Sequence, residues 1–147
     1  MSITQAMCTS FKVQLLLGEH DLVDDALRIA LFTSSADLSA GTTVYSANGS
    51  SGSTRVEVAN GSGYTTKGEL LGSKNVQGNS TSGVFTAADP TWTAASFTAR
   101  GALIYNDDKS DKAIAVLNFG GDFTVSNGTF KIVFPAQTKD TAIIRID

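Results

Sequence analysis

Residues 102–119, ALIYNDDKSDKAIAVLNF, set two strongly apolar runs on either side of a connection too charged to be buried. Short apolar runs bounded by polar turns read as strands, and this pair predicts a hairpin whose arms lie in a core. The same grammar recurs from Leu27 onward, where clusters of Gly, Asn, Asp and Ser separate apolar or alternating segments. Strands are expected near residues 26–33, 42–46, 64–70, 83–87, 92–98, 100–106, 112–119, 122–126, 129–134 and 141–146. So many strands with so little helix predict an all-β fold, either an antiparallel β-sandwich or a jelly-roll-like barrel, with one N-terminal α-helix.

Three segments refine that expectation. VSNGTF places Asn127 and Gly128, the pair best able to take positive φ at both central turn positions, between two apolar runs, and predicts a second hairpin. The opening residues 1–18 read as a helix or arm, with Ile3, Met7, Phe11 and Leu15 four apart on one face, Ser2 or Thr4 as its cap and Gly18 as its end. That stripe either packs on its own domain, the favoured reading, or docks on a neighbour, which makes Ile3, Met7 and Phe11 candidate interface residues. Residues 33–63 are mostly Ser, Thr, Gly, Ala and Asn, too weakly apolar for a core of their own, and predict long surface loops around a short strand. No linker or repeat divides the chain, so one domain spans 1–147, with the β-sandwich over 26–147.

Within SFTARGALIYN, residues 96–106, an arginine and a glycine interrupt an apolar strand. Alternation leaves neither face cleanly polar, so the strand is expected to be covered on both sides. Gly101 then marks a bend, a bulge or the close approach of another backbone. Arg100 must leave the core or meet a carboxylate, its own chain's by preference or a neighbouring subunit's otherwise, and it joins the candidate interface residues.

Composition removes several function classes. At 147 residues the chain can bury about two-thirds of its unfolded surface without metals or disulfides. One cysteine, Cys8, excludes an intrachain disulfide and a Cys-cluster zinc site. A net charge of −3, with charged residues at 17%, supplies no basic field for nucleic acid and suits a surface that pairs with other proteins. No run approaches a membrane span, and residues 1–18 lack a basic start and a continuous apolar core, so a chain without signal peptide or membrane contact, made in the cytoplasm, is expected.

No catalytic constellation emerges. Cys8 and the only histidine, His20, with Asp21, Asp24 or Asp25, could form a triad, but their spacing carries no signature, and a buried structural cysteine is the commoner outcome. NDDKSDK fails the EF-hand pattern, because Asp111 and Leu117 stand where Gly and Glu are needed. Neither a nucleophile elbow, a zinc helix nor a phosphate loop is present. Of four Asn-X-Ser/Thr triplets, at Asn48, Asn60, Asn79 and Asn127, three are Asn-Gly turns, and with no export signal beside them none is expected to be glycosylated. Tyr45, Tyr64 and Trp92 could stack on sugars, although aromatics scattered in strands are more often core. The expectation is a non-enzymatic protein with no cofactor and no metal.

Six phrases in order, SITQAMCTSFKVQLLLG, ALRIALFTSSADLSAGTTVYS, GSGYTTKG, TWTAASFTARGALIYN, AIAVLNFGGDFTVSNGTFKIVFP and AIIRI, resemble a family of small virion structural proteins of tailed double-stranded DNA bacteriophages. The resemblance covers nearly the whole chain and departs mainly between Asn48 and Arg55, where NGSSGST makes a looser loop. It implies a component of the virion. Some family members are regarded as capsid decoration or cement proteins, others as tail or fibre proteins. The partners so implied are the major capsid protein or another virion protein, together with copies of the chain itself as a homo-oligomer.

Overall fold

The structure, a computed structural model, describes residues 2–50, 52–136 and 141–147. Its elements are β1 (Ala6–Met7), α1 (Thr9–Leu16), β2 (Leu27–Phe32), β3 (Glu69–Leu70), β4 (Asn75–Asn79), β5 (Ser82–Thr86), β6 (Thr91–Asn106), β7 (Lys112–Lys131) and β8 (Ile144–Ile146). A five-stranded sheet runs β1-β7-β6-β2-β3 and a three-stranded sheet runs β4-β5-β8, with every pairing antiparallel. The fold is all-β and sandwich-like, with one short helix near the N-terminus.

The hairpin of β6 and β7 is the spine. The two apolar arms of residues 102–119 pair as the sequence predicts, Ala102 opposite Leu117 and Leu103 opposite Val116, through the charged turn at 107–111. Both faces of β6 are covered over this half, since every residue from Gly101 to Asn106 is buried. Gly101 marks both a bulge and a close approach: the register jumps between Ala99, opposite Phe123, and Gly101, opposite Asn118. A Cβ there would lie 2.6 Å from the Leu117 carbonyl oxygen and 2.9 Å from Ile3 Cδ1, so only glycine fits.

Several local expectations are corrected. The hairpin at Asn127 and Gly128 does not form: β7 runs through both positions, and Asn127, at φ 48°, is instead a bulge residue. Predicted strands 92–98 and 100–106 are one strand, as are 112–119, 122–126 and the first half of 129–134, because the extended hairpin gives every segment a cross-strand partner. No strand covers 42–46, where Val44 makes a single bridge to Lys112, and only Glu69–Leu70 of 64–70 is strand. β4, in NVQGN, is polar enough to have escaped notice.

The helix is also shorter than expected. Ile3 makes a parallel bridge with Leu38, Ala6 and Met7 pair with Val116 and Ala115, and α1 begins only at Thr9, after Cys8, whose side chain makes no cap bond. A spacing of four is even, so it keeps side chains on one face of a strand as well as of a helix. The edge of β7 and the 38–40 loop supply the backbone partners that decide between them, through Thr4 N–H to Leu38 O at 2.8 Å and Thr9 N–H to Ala40 O at 2.8 Å. Gly18 does end the helix, at φ 75°, with its N–H on Leu15 O and the Glu19 N–H on Gln14 O, the paired bonds of a Schellman cap.

The 33–63 segment is held against the edge of β2. Val58 N–H donates to Leu31 O and Thr33 N–H to Val56 O, each at 2.9 Å, and Ala36, Leu38 and Val58 are buried. A buried carboxylate fastens it. Glu57 accepts hydrogen bonds from the Tyr64 hydroxyl (2.6 Å), the Lys67 N–H (2.8 Å) and the Tyr45 hydroxyl (2.7 Å), and pairs with Arg55 at 3.2 Å. Tyr64 Oη also accepts from Leu31 N–H at 3.0 Å, tying the segment back to β2. Burial, followed by the bond to Glu57, raises the pKa of both tyrosines, so they remain neutral donors.

Candidate interaction surface

The residues nominated for chemistry are placed in structural roles. Cys8 is fully buried, and burial pushes its thiol up to about 11, against a smaller opposing influence from Lys12. Both ring nitrogens of His20 are occupied elsewhere, Nε2 with Gln14 Oε1 at 2.8 Å and Nδ1 with Asn106 Nδ2 at 3.0 Å. Asn106 Nδ2 also donates to Asp25 Oδ2, so Nδ1 is the accepting nitrogen and the imidazole is neutral; burial, with Lys112 beside it, lowers its pKa. The acids of the hairpin turn face cations: Asp107 pairs with Arg28 at 3.0 Å, and Lys67 lies 3.2 Å from Asp111. Among the described residues no group of three or more His, Cys, Asp or Glu side chains is arranged to hold a metal ion.

The candidate sugar-stacking aromatics are engaged within the chain. Tyr64 and Trp92 are buried, and Tyr45 stacks on Tyr105 with centroids 4.6 Å apart while its hydroxyl meets Glu57.

Of the candidate interface residues, Ile3 and Phe11 are buried in the domain's own core, Ile3 against Gly101 and Phe11 against His20, with ring centroids 5.0 Å apart. Phe11 has no exposed surface left for a neighbour, and Ile3 shows only its edge, in a small pocket with Arg100. Met7 is half-buried in β1, and Arg100 lies 3.4 Å from Asp122 of its own chain.

What the fold leaves open lies elsewhere. α1 buries only Phe11, and its opposite side carries Val13, Leu16 and Leu17, which are 54%, 89% and 69% exposed. These lie three and four apart, so they form one apolar stripe facing solvent. A single exposed leucine would need no explanation, but two at this exposure on one stripe, with Val13 beside them, make an apolar patch on the surface.

The second open region is aromatic. Phe119, Phe123, Phe130, Ile132 and Val133 line a groove of about 270 Å³ beside the far half of β7. Ring contacts connect it inward, from Phe123 to Phe119 (6.3 Å), Phe119 to Phe130 (6.0 Å), Phe130 to Phe97 (5.2 Å) and Phe97 to the buried Tyr64 (5.9 Å). The bulge puts these rings together. Ser126 and Asn127 both oppose Ser96, so Phe123, Val125, Gly128 and Phe130 share one face of β7, where strict alternation would send Phe123 and Phe130 to opposite faces. The four-residue spacing in the sequence puts the apolar face on Ile3, Met7, Phe11 and Leu15 and misses the stripe of Val13, Leu16 and Leu17, for which the apolar excess of VQLLL was the available signal. The groove could not be read without the bulge.

No protein-family model, curated protein or solved structure matches this chain. No helix among the described residues is long and apolar enough to cross a membrane.

Proposed function

We propose that this protein is a non-enzymatic structural component of a bacteriophage particle, a capsid decoration or cement protein that binds the major capsid protein and stabilises the head shell. The observation that carries this reading is the solvent-facing stripe of Val13, Leu16 and Leu17 on a domain that already has a complete core of its own. Covering these side chains contributes roughly 1.5–3 kcal/mol for each one fully buried, which only a partner can supply. The resemblance to small virion proteins names the class of partner. A cement protein acts in many copies on a lattice, where individually modest contacts add by multivalency.

Quantitative mass spectrometry of purified particles tests the reading. Hundreds of copies per particle are expected; a small symmetric number that stays with isolated tails would assign the chain to the tail or its adaptor instead. A Leu16→Glu/Leu17→Glu variant should fold normally and lose particle occupancy. Full occupancy by that variant would remove the helix stripe from the interface.

A further inference from the structure

The segment that reads as a hairpin in the sequence is not used as one within the chain, and its self-complementarity is left unspent. Residues 122–131 are DFTVSNGTFK. About a centre between Ser126 and Asn127 the string is nearly symmetric: Asp122 answers Lys131, Phe123 answers Phe130, Thr124 answers Thr129 and Val125 answers Gly128. β7 is paired along one edge with β6, while on its other edge β1 reaches only Ala115 and Val116. From Gly121 to Lys131 no described strand lies along that outer edge.

We propose that the outer edge of β7 pairs with the same edge of a second copy of this chain, antiparallel about a two-fold axis at Ser126 and Asn127. An antiparallel strand pair has its dyads perpendicular to the sheet, so each apolar face stays on the same side as its mate's. Phe123 then lies beside the partner's Phe130, and the missing side chain of Gly128 leaves room for the partner's Val125. The bulge makes this register work, because Phe123, Val125, Gly128 and Phe130 share one face only through the extra residue at 126–127. Phe123, 52% exposed in the single chain, becomes covered.

Charge supports the same register. Asp122 and Lys131 are about half exposed and, among the described residues, make only long ion pairs at home, with Arg100 at 3.4 Å and with Asp89 at 3.8 Å. Across the dyad the order becomes Arg100, Asp122, then the second copy's Lys131 and Asp89, alternating in sign throughout. Such an edge is the kind that proteins otherwise block, and here its complement is itself. The inference holds whether or not the chain belongs to a particle.

Sedimentation velocity and native mass spectrometry on the full-length protein provide the test. A monomer–dimer equilibrium is expected. Asp122→Lys or Lys131→Asp alone places like charges opposite each other at both dyad-related pairs and should weaken dimerisation about ten-fold. Mixing the two variants restores both attractions, so a heterodimer should form with close to the native affinity. Circular dichroism of each variant checks its fold, and the variants serve as their own folding controls because mixing changes no intrachain contact. A protein that stays monomeric, forms a trimer, dimerises regardless of either variant, or gives variants that fail to pair on mixing would overturn the proposal.

Discussion

Glu57 is the residue whose removal should be felt most for its size. It is 3% exposed and holds two tyrosine hydroxyls, one backbone N–H and one guanidinium, with the shortest contact at 2.6 Å. In Glu57→Ala the buried Tyr64 hydroxyl keeps the bond it accepts from Leu31 but loses the acceptor for its own proton, and Lys67 N–H is orphaned. Each such loss costs about 1–3 kcal/mol, which gives roughly 3–5 kcal/mol for the variant. A chain of this length has on the order of 7–22 kcal/mol of total stability at 0.05–0.15 kcal/mol per residue, so a large share would go. Glu57→Gln keeps the shape and one acceptor oxygen and should cost less, about 1–3 kcal/mol. Urea unfolding at a constant m-value reads both, and near-UV dichroism of the tyrosines reports the local change. An alanine variant within about 1 kcal/mol of the native protein, or a glutamine variant as costly as alanine, would refute the reasoning.

Gly101→Ala pushes a methyl group against the Leu117 carbonyl and Ile3, and should cost about 1–3 kcal/mol. Combining it with Ile3→Ala relieves only the side-chain part of the clash, so a double-mutant cycle should show favourable coupling; strict additivity would mean that the two do not meet. Arg100→Ala should change stability by less than about 0.5 kcal/mol, because its pair with Asp122 is exposed, and a larger drop in thermal midpoint would show that the arginine has a buried role. His20 predicts a pH dependence with a definite sign. Its folded pKa lies below 6.5, so as pH falls through 6.5 the unfolded chain takes up a proton that the folded one refuses, and stability declines until the folded pKa is passed. The contribution is present above the unfolded value of 6.5 and is lost as pH falls below it, and His20→Gln should flatten the slope on that acid side; an unchanged slope would place its origin in another group.

How much of this was legible in the sequence depended on whether a residue's partner was near in the chain. The hairpin of residues 102–119, the role of Gly101 and the stop at Gly18 were readable because each rests on local pattern or on the geometry of glycine itself. The N-terminal segment misled because Ile3, Met7 and Phe11 satisfy helix and strand spacing alike, and distant backbone groups of Leu38 and Ala40 chose between them. VSNGTF misled for a related reason: Asn127 does take positive φ, as a turn there would require, but the long partner strand β6 absorbs it as a bulge. Glu57 gave no signal, since nothing in VEVANG marks a carboxylate that meets tyrosines from two other segments. The aromatic groove was hidden for the reason that creates it, a one-residue slip that moves Phe123 and Phe130 onto one face.

The two open surfaces differ in symmetry, and that difference separates the partners proposed for them. The edge of β7 is complementary to itself, so a dyad satisfies it and closes the assembly at two copies. The stripe of Val13, Leu16 and Leu17 has no charged or shaped counterpart within its own segment, so a second copy of the helix offers it only the same apolar surface. A dimer formed through β7 carries that stripe twice, related by the same axis. On the particle lattice of the proposed function, two weak contacts would then act as one, with an effective concentration set by the rigid sheet between them. If so, disrupting the β7 edge should lower occupancy on particles even though the edge itself touches no lattice subunit. Lys131→Asp protein added to particles should bind more weakly than native protein, and adding the Asp122→Lys variant should restore binding. Equal binding by the single variant and the native protein would show that the helix stripe holds the lattice one copy at a time.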